Sequence, residues 1–153
     1  NVQVANYNCP GQLVIAGEKA ALAEAIENCK AAGARRALPL AVSGAFHTPL
    51  MAKAAAELRA YVADFTFSAP KMDIYSNLDG KVYDCSDLPA HLEQHMISPV
   101  RWTQLVKNGM AAGLTSAGEI GPGKTLTGFA GKISKELTCK TVQDMAGVQA
   151  AAE

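Results

Sequence analysis

The sequence predicts a mixed α/β or α+β domain. Segments in which every second residue is apolar alternate along the chain with segments in which apolar residues recur at helical spacing. Turn residues separate the two kinds of segment. Apolar residues make up 49% of the 153 residues, which is enough to bury a core as one domain. We find no internal repeat that would favour a solenoid.

The first elements are two strands and a helix. Alternating residues predict strands over 2–7 and 13–16, with turn residues between them. A helix follows the second strand, and Gly33 suits its C-terminal cap. This order predicts a hairpin that leads into a helix.

The next two elements bring a histidine to a strand–helix junction. Alternation over 38–42 predicts a half-buried strand, while Thr48 is a good N-cap and Pro49 suits the first helical position. The helix that follows has an apolar face of Met51, Ala54, Ala55, Leu58, Val62 and Phe65. His47 therefore lies where α/β enzymes place functional groups. We expect the positive end of the helix dipole to disfavour an imidazolium there.

Predicted strands and helices also follow one another in the second half of the chain. In order, the predicted elements are strands at 73–77 and 81–83, a helix from 88 to about 96, a helix capped by Thr103, a short strand at 119–120 and a helix from Lys124. The Ala/Gln-rich residues from 138 to 153 show little pattern, so we expect a tail that frays.

Composition excludes several classes of function. The chain has 14 basic and 14 acidic residues, whereas a dedicated nucleic-acid binder usually has a basic excess. No apolar stretch nears the length of about 18 residues that a membrane span needs, and we expect no signal peptide. We therefore expect neither nucleic acid nor a membrane as partner. The first residue is not Met and a predicted strand already begins at Val2, so we expect a fragment or a processed piece.

The cysteines and histidines predict no metal site. Four cysteines are widely spaced without a CxxC pair, which favours reduced thiols in a non-oxidising compartment. His91 and His95 are four positions apart on a predicted helix and could share a face, but no cysteine or carboxylate is placed to complete a site.

One motif suggests a nucleotide site that its context disfavours. Residues 118–125 match the P-loop pattern GxxxxGK[ST]. The best strand residues, Glu119 and Ile120, fall inside the stretch that should form the loop, and Pro122 removes one backbone donor. We therefore predict a strand, turn and helix unit whose glycines, Gly121 and Gly123, serve close packing.

Five segments together resemble the malonyl-CoA:acyl carrier protein transacylase family. They are Val4-Ala5-Asn6-Tyr7-Asn8-Cys9-Pro10-Gly11-Gln12, Ser43-Gly44-Ala45-Phe46-His47-Thr48-Pro49-Leu50-Met51, Tyr75-Ser76-Asn77, Ser98-Pro99-Val100-Arg101-Trp102 and Glu119-Ile120-Gly121-Pro122-Gly123-Lys124. Their order and spacing fit the family over residues 1–137. The resemblance covers the C-terminal half of such an enzyme, and no serine here has the GxSxG context of a nucleophile.

The resemblance implies roles for single residues. His47 matches the catalytic histidine, and the main-chain carbonyl that orients its ring falls by spacing on His95, with Gln94 one position away. Phe46 matches the residue that favours malonyl over methylmalonyl, and Asn8 and Gln12 match a polar loop near the acyl and CoA site. Basic residues that would steer an acidic carrier protein are Arg35, Arg36, Lys53, Lys124 and Lys132.

The resemblance also implies a fold. The family has an α/β-hydrolase-like large subdomain with an inserted ferredoxin-like small subdomain. Residues 1–45 match the end of the small subdomain, residues 46–137 match the C-terminal part of the large one, and 138–153 would be a tail.

The implied activity is malonyl transfer from malonyl-CoA to acyl carrier protein through a serine-bound intermediate, for fatty-acid biosynthesis. It needs no cofactor beyond the CoA thioester substrate, and no metal. Because the serine lies outside this chain, we expect the isolated fragment to be inactive and to need the missing N-terminal half as partner. The alternatives are an acyltransferase domain of polyketide synthesis and a non-catalytic packing fragment. The implied compartment is a bacterial cytoplasm or a plastid-type stroma.

Overall fold

The chain begins with an antiparallel hairpin. The computed structural model describes residues 1–152, in which β1 (Val2–Cys9) pairs with β2 (Gln12–Gly17). The turn needs glycine at Gly11, whose φ is +77°. The predicted hairpin is confirmed, and each of its strands is longer than the alternation alone indicated.

Helices dominate the middle of the chain. They are α1 (Lys19–Ala31), a 3₁₀ turn (Pro49–Met51) that continues into α2 (Ala52–Val62), α3 (Leu88–Ile97) and α4 (Trp102–Ala111). Thr103 was expected to cap α4, but the cap position is Arg101. The Thr103 hydroxyl instead donates to the carbonyl of Tyr7 at 3.1 Å, which ties α4 to β1.

A parallel strand pair closes the described chain. β3 (Ser116–Ile120) and β4 (Thr138–Val142) pair in parallel, and α5 (Thr125–Ile133) connects them; α6 (Met145–Ala152) follows. The expectation of a patternless tail from 138 onward is wrong. β4 is stabilised by pairing with a strand 22 positions upstream, from Ser116 to Thr138, and local propensity does not reveal that contact.

The predicted strand over 38–42 is also wrong. Leu38, Leu40 and Val42 are 64, 61 and 66% exposed, and the segment is irregular. A strand needs a neighbour to accept its backbone hydrogen bonds, and none lies beside this segment within residues 1–152. The segments predicted as strands at 73–77 and 81–83 do pair with each other, but only through one antiparallel bridge, between Tyr75 and Val82.

The extended segment after α3 joins the two halves of the fold. The amide of Tyr7 donates to the carbonyl of Val100 at 2.9 Å, and the amide of Val100 donates to the carbonyl of Ala5 at 2.8 Å. Beside it, Val106, Ala130 and Leu137 form a small buried core. None of the helices in the described part of the chain is long and apolar enough to cross a membrane.

Candidate active site

The turn between residues 45 and 50 places His47. The Thr48 hydroxyl donates to the carbonyl of Ala45 at 2.7 Å and accepts from the amide of Leu50 at 3.3 Å. Thr48 is 2% exposed, so its two hydrogen bonds are shielded from water. The predicted N-cap at Thr48 and the helical start at Pro49 are confirmed.

The ring of His47 lies against the end of α3. Its Nδ1 is 3.0 Å from the carbonyl oxygen of His95 and 3.2 Å from that of Ser98. A carbonyl oxygen only accepts, so Nδ1 must carry the proton and Nε2 keeps a free lone pair in the neutral ring. The arrangement therefore presents Nε2 as a base, with the other nitrogen held by two acceptors.

The ends of two helices lie next to His47. The positive end of the helix after Thr48 lies beside His47 as expected, and the ring nitrogen also faces carbonyls at the C-terminal, negative end of α3. The two ends of opposite polarity therefore meet at this histidine. The contact falls on His95 and not on Gln94, the neighbouring alternative.

The side chain of His95 packs beside His47. The two ring centroids are 5.5 Å apart, and the Nε2 atom of His95 is buried. Burial lowers the pKa of His95, and positive charge on His47 or His91 lowers it further. A neutral imidazole therefore lies next to His47 near neutral pH.

The two histidines considered as a metal pair have separate neighbours. His91 packs on Tyr83 with ring centroids 4.0 Å apart, and its Nε2 lies 3.3 Å from the Ser76 hydroxyl. His95 packs against His47. Over residues 1–152, no group of three or more His, Cys, Asp or Glu side chains is placed to hold a metal ion.

The other predicted site residues make no hydrogen bond to the His47 ring within residues 1–152. Phe46 is 48% exposed, and its ring covers Gly44 so closely that a Cβ there would lie 3.2 Å from it. Asn8 and Gln12 lie at the turn end of the hairpin, whereas Gln3 at the other end contacts His47. At about 3.3 Å per residue, Asn8 is roughly 17 Å along β1 from Gln3.

In the P-loop-like segment, a carboxylate occupies the start of α5. The Glu119 carboxylate accepts from the amides of Leu126 at 3.0 Å and Thr127 at 2.7 Å, where a phosphate would bind in a true P-loop. The Thr127 amide contributes most to lowering the pKa of Glu119. The packing role expected for Gly121 and Gly123 stays a prediction, because among residues 1–152 nothing beyond their chain neighbours lies within 4 Å of a Cβ built at either position. Their φ values of +131° and +101° are a separate reason for glycine at both positions.

Three contacts to His47 were not predicted from the sequence. They are the carbonyl of Ser98, the carbonyl of Met96, which accepts from the His47 amide at 3.0 Å, and the side-chain amide of Gln3. Only Ser98 had a local signal, since Ser98-Pro99 marks the end of a helix. The Gln3 contact spans 44 positions.

A comparison with known protein families shows which family this chain belongs to. The profile of the acyl transferase domain matches residues 1–149. The chain belongs to this family. Among curated relatives of the domain, the malonyl CoA-acyl carrier protein transacylase of Salmonella typhimurium is 42% identical over 98% of the chain, and that of Escherichia coli is 41% identical over 99%. The chain spans about half the length of these relatives, 49% and 50%.

Solved structures agree with this relationship. The malonyl-CoA:acyl carrier protein transacylase of Xanthomonas oryzae superposes with a TM-score of 0.93 at 37% identity, over 98% of the chain and 48% of that protein. A malonyl-transacylase in complex with a type II PKS acyl-carrier protein superposes with a TM-score of 0.94 at 40% identity, over 99% and 49%. The acyl transferase domain here thus has the backbone of half of these enzymes.

Proposed function

We propose that this chain supplies the acid–base histidine of a malonyl-CoA:acyl carrier protein transacylase. The observation that carries the proposal is the ring of His47, whose Nδ1 faces the carbonyls of His95 and Ser98 so that Nε2 is the free base. The relatives named for this activity are about twice as long as the chain. The nucleophile would therefore come from the half that this chain does not cover.

The first half-reaction forms an acyl-enzyme. Nε2 of His47 takes the proton of a serine hydroxyl as the oxygen attacks the malonyl thioester carbonyl. The tetrahedral intermediate collapses, the carbon–sulfur bond breaks, and Nε2 returns the proton to the departing CoA thiolate. The carbonyls of His95 and Ser98 stabilise the imidazolium that exists between these two steps.

The second half-reaction repeats these proton transfers with another thiol. Nε2 takes the proton from the phosphopantetheine thiol of the carrier protein, whose sulfur attacks the malonyl-serine ester. As the carbon–oxygen bond breaks, Nε2 protonates the serine oxygen and restores the enzyme. One base thus serves both halves of a ping-pong scheme.

The proposal includes the family's subdomain organisation. We assign residues 1–45 to the end of a ferredoxin-like small subdomain and 46–137 to an α/β-hydrolase-like large subdomain. The hairpin and α1 in the first range, and the parallel β3–α5–β4 unit that begins in the second, support this division. β4 and α6, beyond residue 137, belong with the large subdomain because β4 pairs with β3.

Substrate and carrier contacts are assigned from the resemblance. Phe46, partly exposed one residue before His47, would restrict the space for an α-methyl group and so favour malonyl. Asn8 and Gln12 would lie along the acyl and CoA path. The five basic residues Arg35, Arg36, Lys53, Lys124 and Lys132 are all exposed and would attract an acidic carrier protein. The bacterial cytoplasm or plastid-type stroma stays a prediction.

A polyketide carrier is the second candidate acceptor. It is favoured by the 40% identity to the malonyl-transacylase solved with a type II PKS acyl-carrier protein. The ratio of transfer rates to a fatty-acid carrier and to a type II polyketide carrier separates the two. A ratio well above one supports fatty-acid synthesis.

The proposal is tested by malonyl transfer from malonyl-CoA to holo-acyl carrier protein. The completed protein joins this chain to the remaining half of the Escherichia coli relative, and His47→Ala is compared with the parent. We expect a loss of about 10²-fold or more in kcat/KM. His91→Gln, away from the His47 ring, is the matched control. If the folded parent transfers no malonyl, the transacylase proposal is wrong and a packing fragment is the better account.

A further inference from the structure

The backbone of His47 has an unusual conformation. Its φ is +62°, and within residues 1–152 Cys85 is the only other non-glycine residue with a positive φ. A side chain with a Cβ is strained in this left-handed region, and such strain persists only where surrounding contacts enforce it. The contacts that hold the backbone of His47 therefore also decide where its ring points.

The two peptide groups that flank His47 are held from different elements. The His47 amide donates to the carbonyl of Met96 at the end of α3, at 3.0 Å. On the other side, the carbonyl of His47 accepts from Nε2 of Gln3, at 2.8 Å. Gln3 lies in β1, so a strand and a helix together fix the peptide planes on both sides of the histidine Cα.

Within residues 1–152, the side-chain hydrogen bond of Gln3 goes to His47 and not to its own hairpin. Gln3 pairs with Ala16 across the β1–β2 ladder through the backbone, and its amide is directed to His47. The contact is partly buried, which strengthens a hydrogen bond relative to one in water. The side-chain amide of Gln3 therefore contacts His47 without taking part in the pairing of β1 with β2.

We propose that Gln3 is a positioning residue for His47, which holds the His47–Thr48 peptide group so that the imidazole keeps Nδ1 on the carbonyls of α3. Without this donor, the His47–Thr48 peptide group is free to rotate and relieve the left-handed strain. The Cα–Cβ bond then loses its direction, and Nδ1 leaves the oxygens of His95 and Ser98. This role rests on the acid–base function proposed for His47.

The test replaces the donor while keeping the shape of the side chain. Gln3→Met removes the amide, and Gln3→Glu puts an acceptor in its place at neutral pH. Gln104→Met is the matched control, because its Nε2 also donates one side-chain hydrogen bond, to Asn108 at 2.7 Å on an exposed face. All three are compared with the parent in the completed protein by malonyl transfer and by ¹⁵N NMR of the His47 ring.

We expect Gln3→Met and Gln3→Glu to lower kcat about tenfold or more, since small misplacements of a catalytic group are costly, with KM changed less than about twofold. The Nδ1–H tautomer of His47 should fall from the dominant form to a mixture, whereas Gln104→Met matches the parent. A kcat within about twofold of the parent in both Gln3 variants would overturn the inference. If the parent transfers no malonyl, the tautomer still decides: an unchanged Nδ1–H signal in folded Gln3→Glu overturns the role of Gln3.

Discussion

Replacing Thr48 by Val tests whether the turn beside His47 depends on one hydroxyl. Thr48→Val keeps the volume of a side chain that is 2% exposed, so it leaves no cavity. It removes the bond donated to Ala45 at 2.7 Å, worth about 1 kcal/mol, and the cap to Leu50 at 3.3 Å, worth about 1 kcal/mol. We therefore expect the free energy of unfolding to fall by about 2 kcal/mol.

The assay for Thr48 combines urea unfolding with malonyl transfer in the completed protein. Thr48→Ser is the control: it keeps both hydrogen bonds and loses one buried methyl, which costs about 1 kcal/mol. Because the turn directs His47, Thr48→Val should also lower kcat about tenfold, and Thr48→Ser should restore it. Equal stability of Thr48→Val and the parent, or equal kcat in the two variants, would refute the role of the hydroxyl.

Two further predictions concern the elements around the site. Gly80→Ala should lower the free energy of unfolding for two reasons. The left-handed φ of +73° costs about 1 kcal/mol once a Cβ is present. Steric overlap costs about 1–3 kcal/mol more, because the Cβ would lie 3.0 Å from the backbone nitrogen of Leu105. Gly11 has a similar φ of +77° but lies in open space, so Gly11→Ala should lose only the strain contribution in urea unfolding. Equal losses of stability in Gly11→Ala and Gly80→Ala would contradict the overlap at Gly80. Glu119→Gln should unfold more easily than the parent at pH 7. Because the folded-state pKa of Glu119 is lowered, that difference should disappear as pH falls through it, and a constant difference would argue against the charge.

The elements predicted well are those whose signals are local. The helix from Leu88 has a proline in its first turn and ends before Ser98-Pro99, and the structure ends it at Ile97. Alternating apolar residues and a Pro-Gly turn predict the hairpin, which the structure contains. Both boundaries depend on residues within a few positions of each other.

The elements predicted poorly depend on distant partners. β4 exists because it pairs in parallel with β3, and its sequence shows little of this. Alternation at 38–42 is a real signal, but a strand requires a neighbour, and residues 1–152 provide none. Periodicity reports which side chains favour burial, and it does not report what will cover them.

The site shows the same division. His47 and the carbonyl of His95 were found through a motif, and the structure brings them within 3.0 Å. The contact from Gln3 could not be predicted, because a glutamine in a strand 44 positions away carries no sign of its target. The left-handed φ of His47 has only a weak signal in the residue type, since histidine is enriched among the few non-glycine residues with a positive φ but its Cβ still disfavours that region.

The most direct measurement is the tautomer of His47, read from ¹⁵N NMR of the completed protein above pH 7.5. The central claim is that His95 and Ser98 hold the proton on Nδ1, so that Nε2 is the base. We predict a dominant Nδ1–H form with an unprotonated Nε2. A dominant Nε2–H form would contradict the claim, because that ring would have no lone pair to take the serine proton.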